Sequence, residues 1–141
     1  MKIILVRHGQ AEDETRPDSA RQLTDFGQQQ AEQTAEYVTT HYSPDRFIVS
    51  PYERAQQTLS AFQSRAPKTP SSIQSNITPS DNARQALIDI ANIDAECLVV
   101  VCHMSIVAYI AGLLTGESPE SFSLAEARVF DMEFVMTGMA T

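Results

Sequence analysis

The run Cys97-Leu98-Val99-Val100-Val101-Cys102 constrains the fold more than any other segment. Six consecutive β-prone residues without polar alternation read as a strand buried on both faces, and such a strand needs a covering layer on each side. Ile3-Ile4-Leu5-Val6 has the same character, and Arg46-Phe47-Ile48-Val49 is a third, shorter strand. Strands of this kind belong to parallel sheets flanked by helices, so an α/β architecture is expected. The 141 residues are expected to form one domain, 1–141, with core enough to need no disulfide or metal staple.

Helical segments separate the strands. Thr24 has the chemistry of an N-cap and Asp25 suits a first turn, while Phe26, Ala31, Ala35, Val38 and Tyr42 form an apolar stripe ended by Ser43-Pro44-Asp45. Ser50 and Glu53 have capping-box spacing with Pro51 at the first helical position, predicting a second helix through Ala55, Leu59 and Phe62 toward Arg65. Residues 67–82, rich in Pro, Ser and Thr, hold at most a short edge strand around Ser72 to Ser75. Ser80 or Asp81 is expected to cap a third helix through Ala83, Leu87, Ile90 and Ile93, and Gly116 to stop a fourth over 105–115. Residues 129–134 alternate apolar and acidic, as a half-exposed edge strand does, whereas 9–23 lack any period and read as a loop. The order βαβα(β)αβαβ describes a three-layer α/β sandwich with a mostly parallel central sheet.

A net charge of −8 argues against a nucleic-acid backbone or an anionic membrane as the main partner. No apolar run approaches a membrane span, and the start has no signal-peptide cleavage pattern. Cys97 and Cys102 point to opposite faces of one strand, so they cannot pair with each other; two buried thiols fit a reducing cytoplasm.

Three strands end in polar or cationic residues before a helix: Val6-Arg7-His8, Val49-Ser50-Pro51-Tyr52-Glu53-Arg54 and Cys102-His103. Parallel strands bring these ends to one edge, where α/β proteins bind ligands. Arg7, His8, Arg54 and His103 therefore converge, with Arg21 reaching in from the first loop. Guanidiniums around two imidazoles form a trap for a tetrahedral oxyanion, above all phosphate. They would also repel a metal cation, so no metal and no cofactor is expected.

This pattern resembles the histidine phosphatase (phosphoglycerate-mutase-like, RHG) superfamily. The resemblance rests on Leu5-Val6-Arg7-His8-Gly9-Gln10, Leu23-Thr24-Asp25-Phe26-Gly27, Ser50-Pro51-Tyr52-Glu53-Arg54-Ala55-Gln56-Gln57-Thr58 and Val99-Val100-Val101-Cys102-His103, in that order. Within the superfamily the likeness is greatest to the short SixA-type phosphohistidine phosphatases, through Asp18-Ser19-Ala20-Arg21-Gln22-Leu23-Thr24 and Ile77-Thr78-Pro79. It implies that His8 is a nucleophile phosphorylated in a covalent intermediate, that Arg7 and Arg54 hold the phosphoryl group, and that His103 donates to its oxygens. Arg21 would add a contact, with Asp18 orienting it.

The larger relatives carry a Glu general acid in an insertion between the second Arg and the second His. Only 48 residues separate Arg54 from His103 here, and none is Glu before Glu96, which abuts the wrong end of its strand. Asp18 and Asp81 remain as acid candidates. Phosphohistidine needs less help from an acid than a phosphate ester, and a site without a lid suits a phosphorylated protein. The expected partner is a phosphohistidine-carrying protein such as a histidine phosphotransfer domain of a phosphorelay, met by a monomer in the cytoplasm. A phosphomonoesterase of a small metabolite and a catalytically silent phosphate-binding module are the alternatives.

Overall fold

The computed structural model describes residues 1–14 and 16–132. Its elements are β1 (Lys2–Arg7), a single 3₁₀ turn (Asp18–Ala20), α1 (Asp25–His41), β2 (Arg46–Val49), α2 (Glu53–Arg65), β3 (Ser71–Ile73), α3 (Ala83–Ala91), β4 (Cys97–Cys102), α4 (Ile106–Thr115) and β5 (Ala127–Asp131). The sheet order is β3-β2-β4-β1-β5. All neighbours run parallel except β5, which pairs antiparallel with β1 at the edge.

Alternation along the strands divides the core in two. Ile4, Val6, Phe47, Val49, Val99 and Val101 face α1 and α2, whereas Ile3, Leu5, Ile48, Leu98 and Val100 face α3 and α4. Cys97 and Cys102 fall into opposite clusters and both are free thiols. β4 is buried at every position because it is the central strand with a helical layer on each face. No helix among the described residues is long and apolar enough to cross a membrane.

Local chemistry sets the element ends, with several departures from the sequence expectations. Thr24 caps α1 as its side chain accepts from Gly27 N–H, and Gly116 ends α4 with φ 74°. Phe26, assigned to the buried stripe of α1, is 55% exposed, because the helix turns Ala31, Ala35 and Val38 to the sheet instead. The capping box at Ser50 does not form: α2 starts at Glu53 with Tyr52 as its cap residue, and the Ser50 hydroxyl lies against His103. Asn82, not Ser80 or Asp81, caps α3 by accepting from Gln85 N–H, since Asp81 closes the preceding turn on Thr78. β3 begins one residue earlier than expected, and β5 covers Ala127–Asp131, where its pairing with β1 ends; Glu133 and Phe134 of the expected strand lie outside the described residues.

α1 is set against the end of β1 by two glycines. The Gln10 carbonyl accepts from Thr24 N–H at 3.0 Å, and Gln10 N–H donates to the Gln30 side chain at 2.9 Å. A Cβ at Gly27 would overlap the Gln10 carbonyl, and one at Gly9 would overlap the Gly27 carbonyl. Backbone lies on backbone here, so neither overlap can be relieved by turning a side chain. Gly27→Ala is therefore expected to lower stability by about 2 kcal/mol or more, whereas exposed Phe26→Ala stays within about 0.5 kcal/mol. Urea unfolding midpoints check this, and equal effects at the two positions would contradict the close approach.

Candidate active site

The carboxyl ends of β1, β2 and β4 meet because β4 pairs with β1 on one side and β2 on the other. Pairing continues one residue beyond the strands. His8 N–H donates to the Cys102 carbonyl and Ser50 N–H to the Val101 carbonyl, each at 3.1 Å. This register lines up His8, Ser50 and His103 along one edge.

His8 is buried, with Nδ1 2.6 Å from the Gly9 carbonyl oxygen. A carbonyl only accepts, so Nδ1 carries the proton and Nε2 is left as the basic lone pair. That lone pair accepts from Arg54 Nε–H at 3.3 Å. Burial pushes the His8 pKa down to about 4; the Gly9 hydrogen bond opposes this, and the charges of Arg54, Arg7 and Arg21 add to it. The result is a neutral imidazole. Burial, more than the neighbouring guanidiniums, is the cause of this neutrality.

Arg54, only 4% exposed, lies in the first turn of α2. Its Nη1 donates to the Asp18 carbonyl at 2.6 Å and its Nη2 pairs with the Asp18 carboxylate at 3.3 Å. Arg21 Nη1 pairs with the same carboxylate at 2.9 Å. Burial pushes the Asp18 carboxyl up, but the Arg21 hydrogen bond and the Arg54 charge outweigh it and hold the group below the usual range. Asp18 is thus an ionised bridge between two arginines. Arg7 reaches the site from β1, and its Nη1 donates to the Phe122 carbonyl at 2.7 Å.

His103 is fully buried, its ring 5.1 Å from those of His8 and Tyr52, both edge-on. Its Nε2 lies 2.7 Å from Ser50 Oγ. Burial, followed by His8 and Arg54, pushes its pKa down to about 3. Among the described residues three buried side-chain polar atoms have no protein partner, and two of them, Arg7 Nε and His103 Nδ1, belong to this group. A cleft of about 410 Å³ is lined by Arg7, His8, Asp18, Arg21 and Arg54, with Pro79, Met104 and Leu124.

The structure thus brings together all six residues expected at the site, including Arg21 and Asp18 from the first loop. Asp81 does not line the cleft; its carboxylate accepts from Thr78 N–H at 2.8 Å and the Thr78 hydroxyl at 2.5 Å. Four contributors were missed. Ser50 carried a signal that was misread as a cap. Tyr52 packs on His103 and under the Arg54 guanidinium, 5.1 Å from it. Thr58, buried in α2, accepts from Gly9 N–H at 3.1 Å and donates to the Arg54 carbonyl at 2.9 Å, tying the two motifs together. The return segment after α4 supplies the Phe122 carbonyl and Ala125, whose left-handed backbone (φ 59°) turns its N–H onto the His8 carbonyl at 3.0 Å. Backbone contacts of this last kind leave no mark in a sequence.

Comparison with known proteins agrees with this geometry. A sequence model of the histidine phosphatase superfamily (branch 1) matches residues 3–77. The chain is 33% identical to a phosphohistidine phosphatase SixA homolog of Haemophilus influenzae, over 86% of this chain and 82% of that protein. It is 29% identical to the phosphohistidine phosphatase SixA of Escherichia coli, over 87% and 80%. Among solved structures, the protein histidine phosphatase SixA complexed with tungstate superposes with a TM-score of 0.84 at 26% identity, covering 94% of this chain and 88% of that one.

The two neutral imidazoles make stability depend on pH. Below the ordinary histidine value of about 6.5 the unfolded chain takes up protons that the folded sites refuse until about pH 4 or lower. The unfolded state binds more protons in that window, so stability falls as pH falls through it. The urea midpoint is expected to drop already between about pH 6.5 and 5, above the main carboxylate range, and His8→Asn to show a shallower slope. A flat midpoint across that interval would contradict the buried neutral rings.

Proposed function

This chain belongs to the histidine phosphatase superfamily, and from that premise we propose that it removes phosphate from phosphohistidine on another protein through a phospho-His8 intermediate. His8 Nε2 is the nucleophile, because its lone pair is neutral, oriented by Gly9 and set among cationic donors. As the new bond from Nε2 to phosphorus forms, the bond from phosphorus to the substrate's imidazole breaks, and the departing ring, already protonated on its other nitrogen, keeps the electron pair and leaves as neutral imidazole. Water then attacks phosphorus as the bond to Nε2 breaks; the electron pair returns to Nε2, one proton of the water passes to solvent, and His8 is again neutral with its proton on Nδ1. Arg54 moves its Nε–H from the lone pair to a phosphoryl oxygen. Arg7, Arg21 and His103 supply further donors, so charge on the oxygens is stabilised without reorganisation. The guanidiniums provide the positive charge for this, so the mechanism calls for no metal.

The observation that carries the substrate assignment is the state of Asp18. It is the one carboxylate among the residues lining the cleft, and it is ionised between Arg21 and Arg54. An ionised, doubly paired carboxylate has no proton for an alkoxide leaving group, and Asp81 is engaged elsewhere. An imidazole leaves readily without such a donor. The interval between Arg54 and His103 is filled by the rest of α2, β3, α3 and β4, with no added lid domain. That openness favours a phosphorylated residue on a macromolecule over an enclosed metabolite. One similar structure holds tungstate, a tetrahedral oxyanion, which agrees with a phosphoryl site. The carrier fits a histidine phosphotransfer protein of a signalling phosphorelay, and the buried free thiols fit a cytoplasmic setting.

Phosphate release from a phosphohistidine protein, a phosphoserine peptide and a phosphosugar tests the assignment. A strong preference for phosphohistidine is expected, with Arg54→Ala lowering kcat/KM by about 10²- to 10³-fold. Preference for the sugar would overturn it.

A further inference from the structure

We infer that Ser50 is a positioning residue, whose buried hydroxyl donates to His103 Nε2 and so keeps the proton of His103 on Nδ1, the nitrogen that serves the phosphoryl group. The role in turnover rests on the function proposed above; the position of the proton rests on the free protein alone.

Ser50 and His103 are both fully buried, and Oγ lies 2.7 Å from Nε2. A neutral imidazole has one donor and one acceptor, so two arrangements are open. Tyr52 N–H already donates to Ser50 Oγ at 3.2 Å, which uses one of its lone pairs. If His103 Nε2–H donated to Oγ, the Ser50 proton would have no acceptor among the described residues, and the Nδ1 lone pair would have no donor. Two buried polar groups would then be unsatisfied. If Ser50 donates to Nε2, its hydroxyl is satisfied both as donor and as acceptor, and only Nδ1–H of the pair is without a protein partner. The second arrangement is favoured because each unmatched buried group costs stability.

Electrostatics agrees. The cleft gathers Arg7, Arg21 and Arg54 around His8, so an anion drawn there needs donors on every side. His103 lies 5.1 Å from His8, ring to ring, and on the function proposed above an Nδ1–H there would meet a phosphoryl oxygen on His8 as a donor, where a lone pair would repel it. The neutrality of both rings also makes the proton's location matter, since neither nitrogen pair is doubly protonated at ordinary pH. His8 and His103 are then matched: each carries its proton on Nδ1, one held there by the Gly9 carbonyl, the other by the Ser50 hydroxyl.

Long-range ¹H–¹⁵N correlation of the histidine rings at neutral pH, in the protein without substrate, reads the tautomer directly. Wild type is expected to show Nδ1–H and an unprotonated Nε2 at His103; an Nε2–H form in wild type would overturn the inference, whatever the enzyme acts on. Ser50→Ala is expected to move His103 toward Nε2–H, to weaken inorganic phosphate binding and to lower kcat about 10- to 100-fold, within the loss that follows from a misplaced histidine proton. Ser50→Thr, which keeps the hydroxyl, is expected to retain the wild-type tautomer. Unchanged phosphate binding and tautomer in a folded Ser50→Ala protein would also overturn it. A wild type that shows Nδ1–H yet hydrolyses no phosphohistidine would refute the proposed substrate and leave the role of Ser50 standing.

Discussion

The hydrogen bond from Arg54 Nε to His8 Nε2, 3.3 Å long and shut away from solvent, joins side chains 46 positions apart. A guanidinium can approach an imidazole so closely only if the ring is neutral and turns its lone pair outward. That requires a proton on Nδ1 and an acceptor to hold it, which the Gly9 carbonyl supplies. The buried positive charge of Arg54 in turn requires a counter-charge, and the first loop brings Asp18 to it by carboxylate and carbonyl together. One contact thereby explains a backbone conformation, a loop position and the ionisation of a carboxylate.

The sheet order makes that contact possible. With β4 between β1 and β2, the three strand ends that carry His8, His103 and the approach to Arg54 are neighbours. Thr58 and the Gly9–Gly27 contact then fix α2 and α1 against the end of β1 at backbone distance, where a few tenths of an ångström decide whether a donor meets its acceptor. Rigidity at the site comes from packed helices and strands more than from the loop that contributes Arg21.

The strand ends and their convergence were legible in the sequence because both rest on local patterns: apolar runs, caps, and a polar residue where each run stops. Arg7, His8, Arg54 and His103 could be found that way, and the first loop, with the resemblance its residues carry, extended the reading to Arg21 and Asp18. Ser50 could not be read correctly, because its capping-box spacing is a local signal that a partner 53 residues away overrides. The Phe122 carbonyl could not be read at all, since every residue has a carbonyl and only the path of the return segment selects this one. Phe26 shows a third limit, as helical periodicity names a face but not where that face ends. The cause of the His8 shift is hidden from the sequence for a similar reason: charges are visible there, whereas burial belongs to the whole fold.

Turnover by this route requires that His8 Nε2 give its lone pair to phosphorus. Rapid alkaline quenching of the protein during turnover of a ³²P-labelled phosphohistidine protein, followed by peptide mapping, examines this without reference to any variant. Label bound through nitrogen to His8, accumulating and decaying as phosphate is released, is the result the structure predicts. Phosphate release with no label on His8, or label on another side chain, would contradict it.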